Sequence, residues 1–188
     1  TIFLVFESIM NIVEGWLDSA IRCPSPNYNQ RPEAEPPSLL VIHNISLPPG
    51  RYGGGYIEAF FLNKLDSAQD PYFEQIQDLQ VSAHFLIARE GKITQFVSCL
   101  DRAWHAGASN FCGRENCNDY SIGIELEGQD FEAYTSAQYD ALKELAGAII
   151  KAYPKINTDS IVGHCDIAPE RKTDPGPSFD WDRFKASI

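Results

Sequence analysis

The chain has 188 residues, 44% hydrophobic and 22% charged, a balance that fits one globular domain with a proper core and excludes fibrous or disordered chains. Fifteen basic against 26 acidic residues leave a net charge of −11, so the basic footprint of a nucleic-acid binder is missing, although a local Arg or Lys could still hold a small anion. No run of about 18 apolar residues offers a membrane-spanning helix.

The opening "TIFLVFESIMNIVEGW" is apolar but short, lacks a basic region and shows no small-residue cleavage site, so it does not read as a secretory signal. Met10, the single methionine, is a candidate start, with residues 1–9 an upstream extension; an N-terminal extension is expected over 1–14 and the domain over 15–188. "IVEGWLDSAI" is a short amphipathic start, and "CPSPNYNQRPEAEPPS" is a proline-rich stretch expected to wrap the surface. "LLVIHNI" (39–45) is a nearly continuous apolar run ending near His43 and reads as a buried central strand. "LPPGRYGGG" is turn-rich, "YIEAFFLNKL" a short helix, and 66–80 an irregular insertion. "VSAHFLIAREGKITQFV" predicts two strands joined by a Glu-Gly turn.

"RAWHAGASNFCGRENCND" is a loop of small residues carrying a Trp-His pair. In "SIGIELEG", Ile122, Ile124 and Leu126 alternate with Gly123, Glu125 and Glu127, the pattern of a strand with two unlike faces. Thr135 followed by Gln138 predicts a capped helix start, with Leu142, Leu145, Ala146, Ile149, Ile150 and Tyr153 as its apolar stripe. "SIVGH" is a last short strand and "FDWDRFKAS" a terminal helix. Strands interleaved with helices predict an α/β single domain, a central mixed β-sheet covered by helices.

Between the last strand and the terminal helix lies "GHCDIAPERKTDPGPSFDW", where Pro169, Pro175 and Pro177 rule out a regular helix through the middle and predict a shaped loop. His43 and His164 each end an apolar strand, where α/β folds place their ligand crevice. Two imidazoles and a carboxylate make a three-ligand zinc set with the fourth tetrahedral position open. Spacing alone does not decide whether Asp166 or Asp174 completes it. Glu125 is the best general-base candidate, with Gly123 leaving open space beside it, whereas Glu127 reads as a solvated acid. Lys172 is a candidate for oxyanion stabilisation. His84 reads as structural, and Trp104-His105 as a sugar or peptide platform. Cys165 and His164 are adjacent and should point apart, which argues against a thiol nucleophile. Cys112 and Cys117 lack the second cysteine pair of a structural zinc site. An odd total of five cysteines favours reduced thiols and a cytoplasmic location.

Together, "PSLLVIHNISLPPG", "VSAHFLI", "RAWHAG", "CNDYSIGIELEG" and "GHCDIAPERKTDPGPSFDW" resemble the zinc-dependent N-acetylmuramoyl-L-alanine amidases, closest to the cytoplasmic anhydro-muramyl branch of peptidoglycan recycling. The likeness runs from Gly15 to Phe184. It implies Zn2+ on His43, His164 and Asp174, a catalytic acidic residue at Glu125, an oxyanion lysine at Lys172, and substrate contacts at Asn44, Trp104 and His105. The implied reaction cleaves the amide between (1,6-anhydro-)N-acetylmuramic acid and L-alanine of an anhydro-muramyl peptide, with a monomer as the default. The chain departs from the family pattern at Gln80 and Asn116, where arginine is expected, which puts in doubt any peptide-carboxylate or anhydrosugar contact borne there. Two alternatives are a non-catalytic muramyl-peptide recognition module, which typically lacks a zinc ligand, and a zinc-free cysteine or glycosyl hydrolase.

Overall fold

Leu39, Leu40, Val41 and Ile42 offer no polar face, and such a run is at home only in a sheet covered on both sides. The computed structural model describes residues 9–32 and 34–188 and places all four of these side chains at zero exposure. The reading of residues 1–9 as an upstream extension falls, apart from Ile9, outside the described residues. In chain order the elements are β1 (Ile12–Val13), β2 (Trp16–Leu17), β3 (Ile21–Arg22), β4 (Tyr28–Gln30), β5 (Leu39–Ile45), α1 (Tyr56–Phe61), β6 (Phe85–Ile87), β7 (Ile93–Gln95), β8 (Asp101–Ala103), β9 (Asn110–Phe111), β10 (Arg114–Glu115), β11 (Ser121–Glu127), α2 (Ser136–Ala152), β12 (Ile161–Gly163), α3 (His164–Ile167) and α4 (Trp181–Ser187). Short 3-10 turns fill the irregular insertion at Ser67–Gln69 and Pro71–Gln75.

The main sheet runs β12-β5-β11-β6-β7-β3. Its first four strands are parallel, β7 is antiparallel to β6, and β3 is parallel to β7, so the sheet is mixed as expected. One face carries Leu40, Ile42, Ile122, Ile124 and Leu126, which pack with Leu142, Leu145, Ala146 and Ile149 of α2 and Phe184 of α4. Each fully buried Leu or Ile contributes about 1.5–3 kcal/mol by leaving water. α2 begins where the sequence placed it: Thr135 Oγ1 accepts from the Gln138 N–H, and Gln138 Oε1 accepts from the Thr135 N–H. The buried Gln138 amide also donates to the carbonyls of Ile87 and Glu127, tying the helix start to the ends of β6 and β11.

On the opposite face Leu39 and Val41 pack with Ala106, Cys117, Tyr120 and Ile167, while α1 and Phe73 close a second cluster around Leu86 and Phe96. The proline-rich stretch does wrap the fold, and Arg31 anchors it by donating to the carbonyls of Cys99, Asn118, Asp119 and Ser121. All seven residues of β11 are buried, which corrects the expectation that Glu127 is solvated. Its carboxylate accepts from the backbone N–H groups of Gly53 and Arg89, because a strand central to a covered sheet has no wet face. Parallel register sets Glu125 directly beside His43. β12 lies on the other side of β5 and delivers His164 at the same sheet end. His164 does not stand in an open loop; it starts a single helical turn that ends before Pro169.

Candidate active site

Three donor atoms meet at the carboxyl end of β5 and β12. Nδ1 of His43 lies 3.0 Å from Nδ1 of His164 and 3.1 Å from Oδ2 of Asp174, and the third edge, His164 Nδ1 to Asp174 Oδ2, is 3.2 Å. Among the described residues this trio forms a cluster able to hold a metal ion. Tetrahedral coordination at usual zinc bond lengths separates ligand atoms by about 3.3 Å, within a few tenths of an ångström of these edges. The protons are arranged to suit. His164 Nε2 lies 3.0 Å from the Ala106 carbonyl, which can only accept, so Nε2 carries the proton and Nδ1 faces the trio as a lone pair. Burial holds His43 down to about 4, against the raising pull of Asp174, so His43 is neutral, the form that binds metal. Burial alone would raise the Asp174 carboxyl, but the adjoining His164 and His43 rings outweigh that and keep it ionised well below the usual range. Three lone pairs this close repel unless a proton or cation sits among them, so the donor set fits a zinc ion.

Asp174 reaches this point because its loop is pinned on several sides. The Asp174 carbonyl accepts from Cys165 N–H at 3.0 Å, and the Pro175 carbonyl accepts from the Tyr134 hydroxyl at 2.7 Å and from Asn44 Nδ2 at 3.2 Å. Thr173 Oγ1 donates to Asp130. Asp166 is occupied elsewhere: its Oδ2 accepts from the Gly163 N–H at 2.7 Å, capping the helical turn, so of the two competing aspartates only Asp174 joins the histidines.

Glu125 projects beside the trio, with Oε1 4.0 Å from Nδ1 of His43. Its residue exposure is 9%, and Oε2 is buried with no hydrogen-bond partner among the described residues. Burial first, then the nearby Asp174 charge, raise its carboxyl well above the ordinary range, while Lys172 pulls the other way. A buried, unpartnered carboxyl with a raised pKa, opening onto a cavity, is the profile of a proton-transfer group. Lys172 lines the same cavity, and its charge is felt at both Glu125 and His43.

The cavity has a volume of about 690 Å³, ample for a peptide-sized ligand. Its lining combines the polar trio, Glu125 and Lys172 with apolar Phe60 and Ile76 and the ring of Tyr72. Leu79 and Phe131 stand exposed at 51% and 86% among the lining residues. Asn44, Trp104 and His105 also line it. Asn44 Nδ2 bonds Asp130 and Tyr134, and Trp104 Nε1 donates to Asn29 Oδ1 at 2.9 Å. Both ring nitrogens of His105 are engaged inside the protein: Nδ1 lies 2.8 Å from His43 Nε2, and Nε2 lies 3.1 Å from Ser121 Oγ. The open space expected beside Gly123 is filled by that ring, since a Cβ at Gly123 would lie 2.6 Å from His105 Cγ.

Asn118 and Arg171 escaped the sequence reading. Asn118 Oδ1 accepts from the N–H groups of His105 and Ala106, and Arg171 Nη2 donates to the carbonyls of Ala106 and Ala108. No sequence signal marks either, because both act on backbone brought close only by the fold. Gln80 and Asn116 are exposed and outside the cavity lining; Asn116 holds φ +56°, a left-handed conformation that asparagine tolerates. His84 is structural, with Nδ1 accepting from Gly123 N–H and Nε2 donating to the Asp101 carbonyl.

The same architecture recurs in known proteins. A family model described as N-acetylmuramoyl-L-alanine amidase matches residues 33–177. The 1,6-anhydro-N-acetylmuramyl-L-alanine amidase AmpD of Citrobacter freundii is 58% identical over 179 residues, 95% of either chain. A crystal structure of a selenomethionine AmpD derivative superposes with a TM-score of 0.93 at 58% identity, covering 95% of this chain and 99% of that one. More distant is Escherichia coli AmiD, solved with anhydro-N-acetylmuramic acid-L-Ala-D-γ-Glu-L-Lys, at 29% identity and a TM-score of 0.61 over 96% of this chain and 66% of that one. Matched by the family model through both histidines and the aspartate, and related at this identity over nearly its whole length, the chain belongs to the N-acetylmuramoyl-L-alanine amidases.

Proposed function

We propose that His43, His164 and Asp174 hold a zinc ion, and that Glu125 and Lys172 work beside it in the reaction of this enzyme. The chain is an N-acetylmuramoyl-L-alanine amidase, a hydrolase that cleaves the amide between 1,6-anhydro-N-acetylmuramic acid and L-alanine in peptidoglycan recycling. The observation that carries the metal reading is the triangle of inward-facing donor atoms, with the His164 proton directed away to Ala106. When bound, zinc supplies Lewis acidity, polarising the amide carbonyl and acidifying water.

Glu125 takes the proton of the attacking water and returns it to the leaving amine nitrogen of L-alanine, one carboxyl serving as base and then acid. Its raised pKa suits the second half of that task, and the Lys172 charge, which pulls the pKa down, favours the ionised form needed for the first. Lys172 offsets the charge that develops on the carbonyl oxygen. Asn44 and Trp104 flank the muropeptide, and the apolar lining around Phe60 and Tyr72 takes its less polar surface. A muropeptide as ligand is supported by the AmiD complex, whose anhydro-muramyl peptide is of the same class. A cytoplasmic setting is supported by Cys23, Cys99, Cys112, Cys117 and Cys165 all being free thiols.

The test is mass analysis of an anhydro-muropeptide digest with and without a chelator. Release of free stem peptide only in the presence of metal is the expected result. Undiminished cleavage in chelator overturns the zinc reading.

A further inference from the structure

We propose that His105 is a positioning residue that acts through His43: backed by Ser121, it can accept the proton of His43 Nε2 and so leave His43 Nδ1 free to take the metal. This rests on the zinc reading of His43, His164 and Asp174.

The chain of contacts runs His43 Nε2 to His105 Nδ1 at 2.8 Å, then His105 Nε2 to Ser121 Oγ at 3.1 Å. It admits two proton arrangements. In one, Ser121 donates to His105, His105 donates to His43, and the His43 proton sits on Nδ1, blocking the metal position. In the other, His43 Nε2 donates to His105 Nδ1, and His105 Nε2 donates to the Ser121 oxygen. A hydroxyl both donates and accepts, so Ser121 can serve either state, and only the second presents a lone pair at Nδ1. His164 has no such choice, because its outer nitrogen faces a carbonyl.

Two consecutive residues, His105 and Ala106, therefore hold the outer nitrogens of two ligands, one within β5 and one just beyond β12. Their segment is built to stay in place. Asn118 Oδ1 accepts from the N–H of His105 at 3.1 Å and of Ala106 at 2.8 Å. Arg171 Nη2 donates to the Ala106 carbonyl at 2.7 Å, on the same oxygen that accepts from His164. Gly107, at φ +60°, leaves just enough room for the guanidinium: a Cβ there would lie 2.9 Å from Nη2. Gly123 makes the matching space under the ring. With both nitrogens committed inward, His105 reaches the chemistry through the metal ligand and not through substrate.

Two substitutions separate positioning from packing. His105→Asn puts a carbonyl oxygen where Nδ1 stands, retaining the acceptor for His43 Nε2–H but losing ring volume. His105→Phe retains the volume and loses the acceptor. Zinc affinity of the full chain, measured by competition with a chromophoric chelator, should stay within about 3-fold of wild type in His105→Asn and fall about 10–100-fold in His105→Phe. Ser121→Ala, which removes only the hydroxyl that contacts His105, should weaken affinity about 3–10-fold. Nitrogen-15 spectra of the zinc-loaded wild type should show His43 protonated at Nε2. Wild-type affinity in both His105→Phe and Ser121→Ala, or His43 found without a proton on Nε2, overturns the proposal. Failure of the wild type to take up zinc at all overturns the metal reading beneath it, a distinct result.

Discussion

Replacing Gly123 with alanine adds one methyl group at the point where β11 meets the His105 ring. Gly123 lies in an ordinary strand, so the backbone accepts alanine, and the whole effect is steric. The new Cβ would stand 2.6 Å from Cγ and Nδ1 of His105 and 2.8 Å from Cδ2. Carbon atoms in contact settle near 3.5 Å, so the ring has to retreat by about 0.9 Å. The His43–His105 bond, now 2.8 Å, lengthens as the ring moves off, and a shift of about 0.5 Å along it passes the usual hydrogen-bonding range. Two costs follow. Overpacking lowers stability by about 1–3 kcal/mol, which in a domain of this size lowers Tm by about 2–12 °C. Loss of the outer bond on His43 weakens zinc binding by about 10–100-fold. Thermal unfolding and competitive zinc titration on the same preparation measure both. A variant that loses Tm but binds zinc like wild type would show that the ring only packs, and the reasoning fails.

Glu125→Gln keeps the shape of the cavity floor but cannot carry a proton; kcat on an anhydro-muropeptide should fall about 10²–10⁴-fold with zinc content intact, and near-normal turnover would remove Glu125 from the chemistry. Asp174→Ala takes away the charged corner of the trio, so elemental analysis should find the purified protein largely free of zinc; full loading would sink that assignment. Stability should also fall in acid through His84, whose pKa burial and then the Arg31 charge lower to about 3. Between pH 6.5 and that value the unfolded chain binds a proton that the folded chain refuses. The contribution is therefore complete above pH 6.5 and erodes below it, by about 2 kcal/mol at pH 5. Urea unfolding of the zinc-loaded protein at pH 8 and pH 5 checks this, and equal stability at the two would contradict it.

What could be read from the chain alone tracks how local the causes are. β5 declared itself through an unbroken apolar run, and α2 through the Thr135–Gln138 cap, because both signals lie within a few residues of what they specify. The two- and three-residue strands β3, β4, β8, β9 and β10 carry too little pattern to register; they exist because neighbours in space offer partners. The alternation in "SIGIELEG" is visible in the sequence and suggests one partly wet side, whereas the sheet centre buries both faces. At the site, His43, His164 and Glu125 stand out by residue type and strand position. The choice between Asp166 and Asp174 came from family likeness, and its physical reason, the cap made by Asp166 on Gly163, is visible only in three dimensions. The inward commitment of both His105 nitrogens was equally invisible, since it depends on Ser121 and Gly123 of a strand that must first pair with β5.

His43 and Glu125 occupy one rung of the β5–β11 ladder. Rungs are spaced by backbone hydrogen bonds at about 4.8 Å, whatever side chains they carry. The interval between the ring proposed to bind the metal and the carboxyl proposed to carry the proton is thus a ruler drawn in peptide groups, and no change in a loop can alter its scale. The segments that contour the cavity, around Pro49, Ile76 and Phe131, hang outside that ruler. They can lengthen, shorten or change character, and so decide which wall fragment is admitted, while the interval at which its bond is broken stays the same.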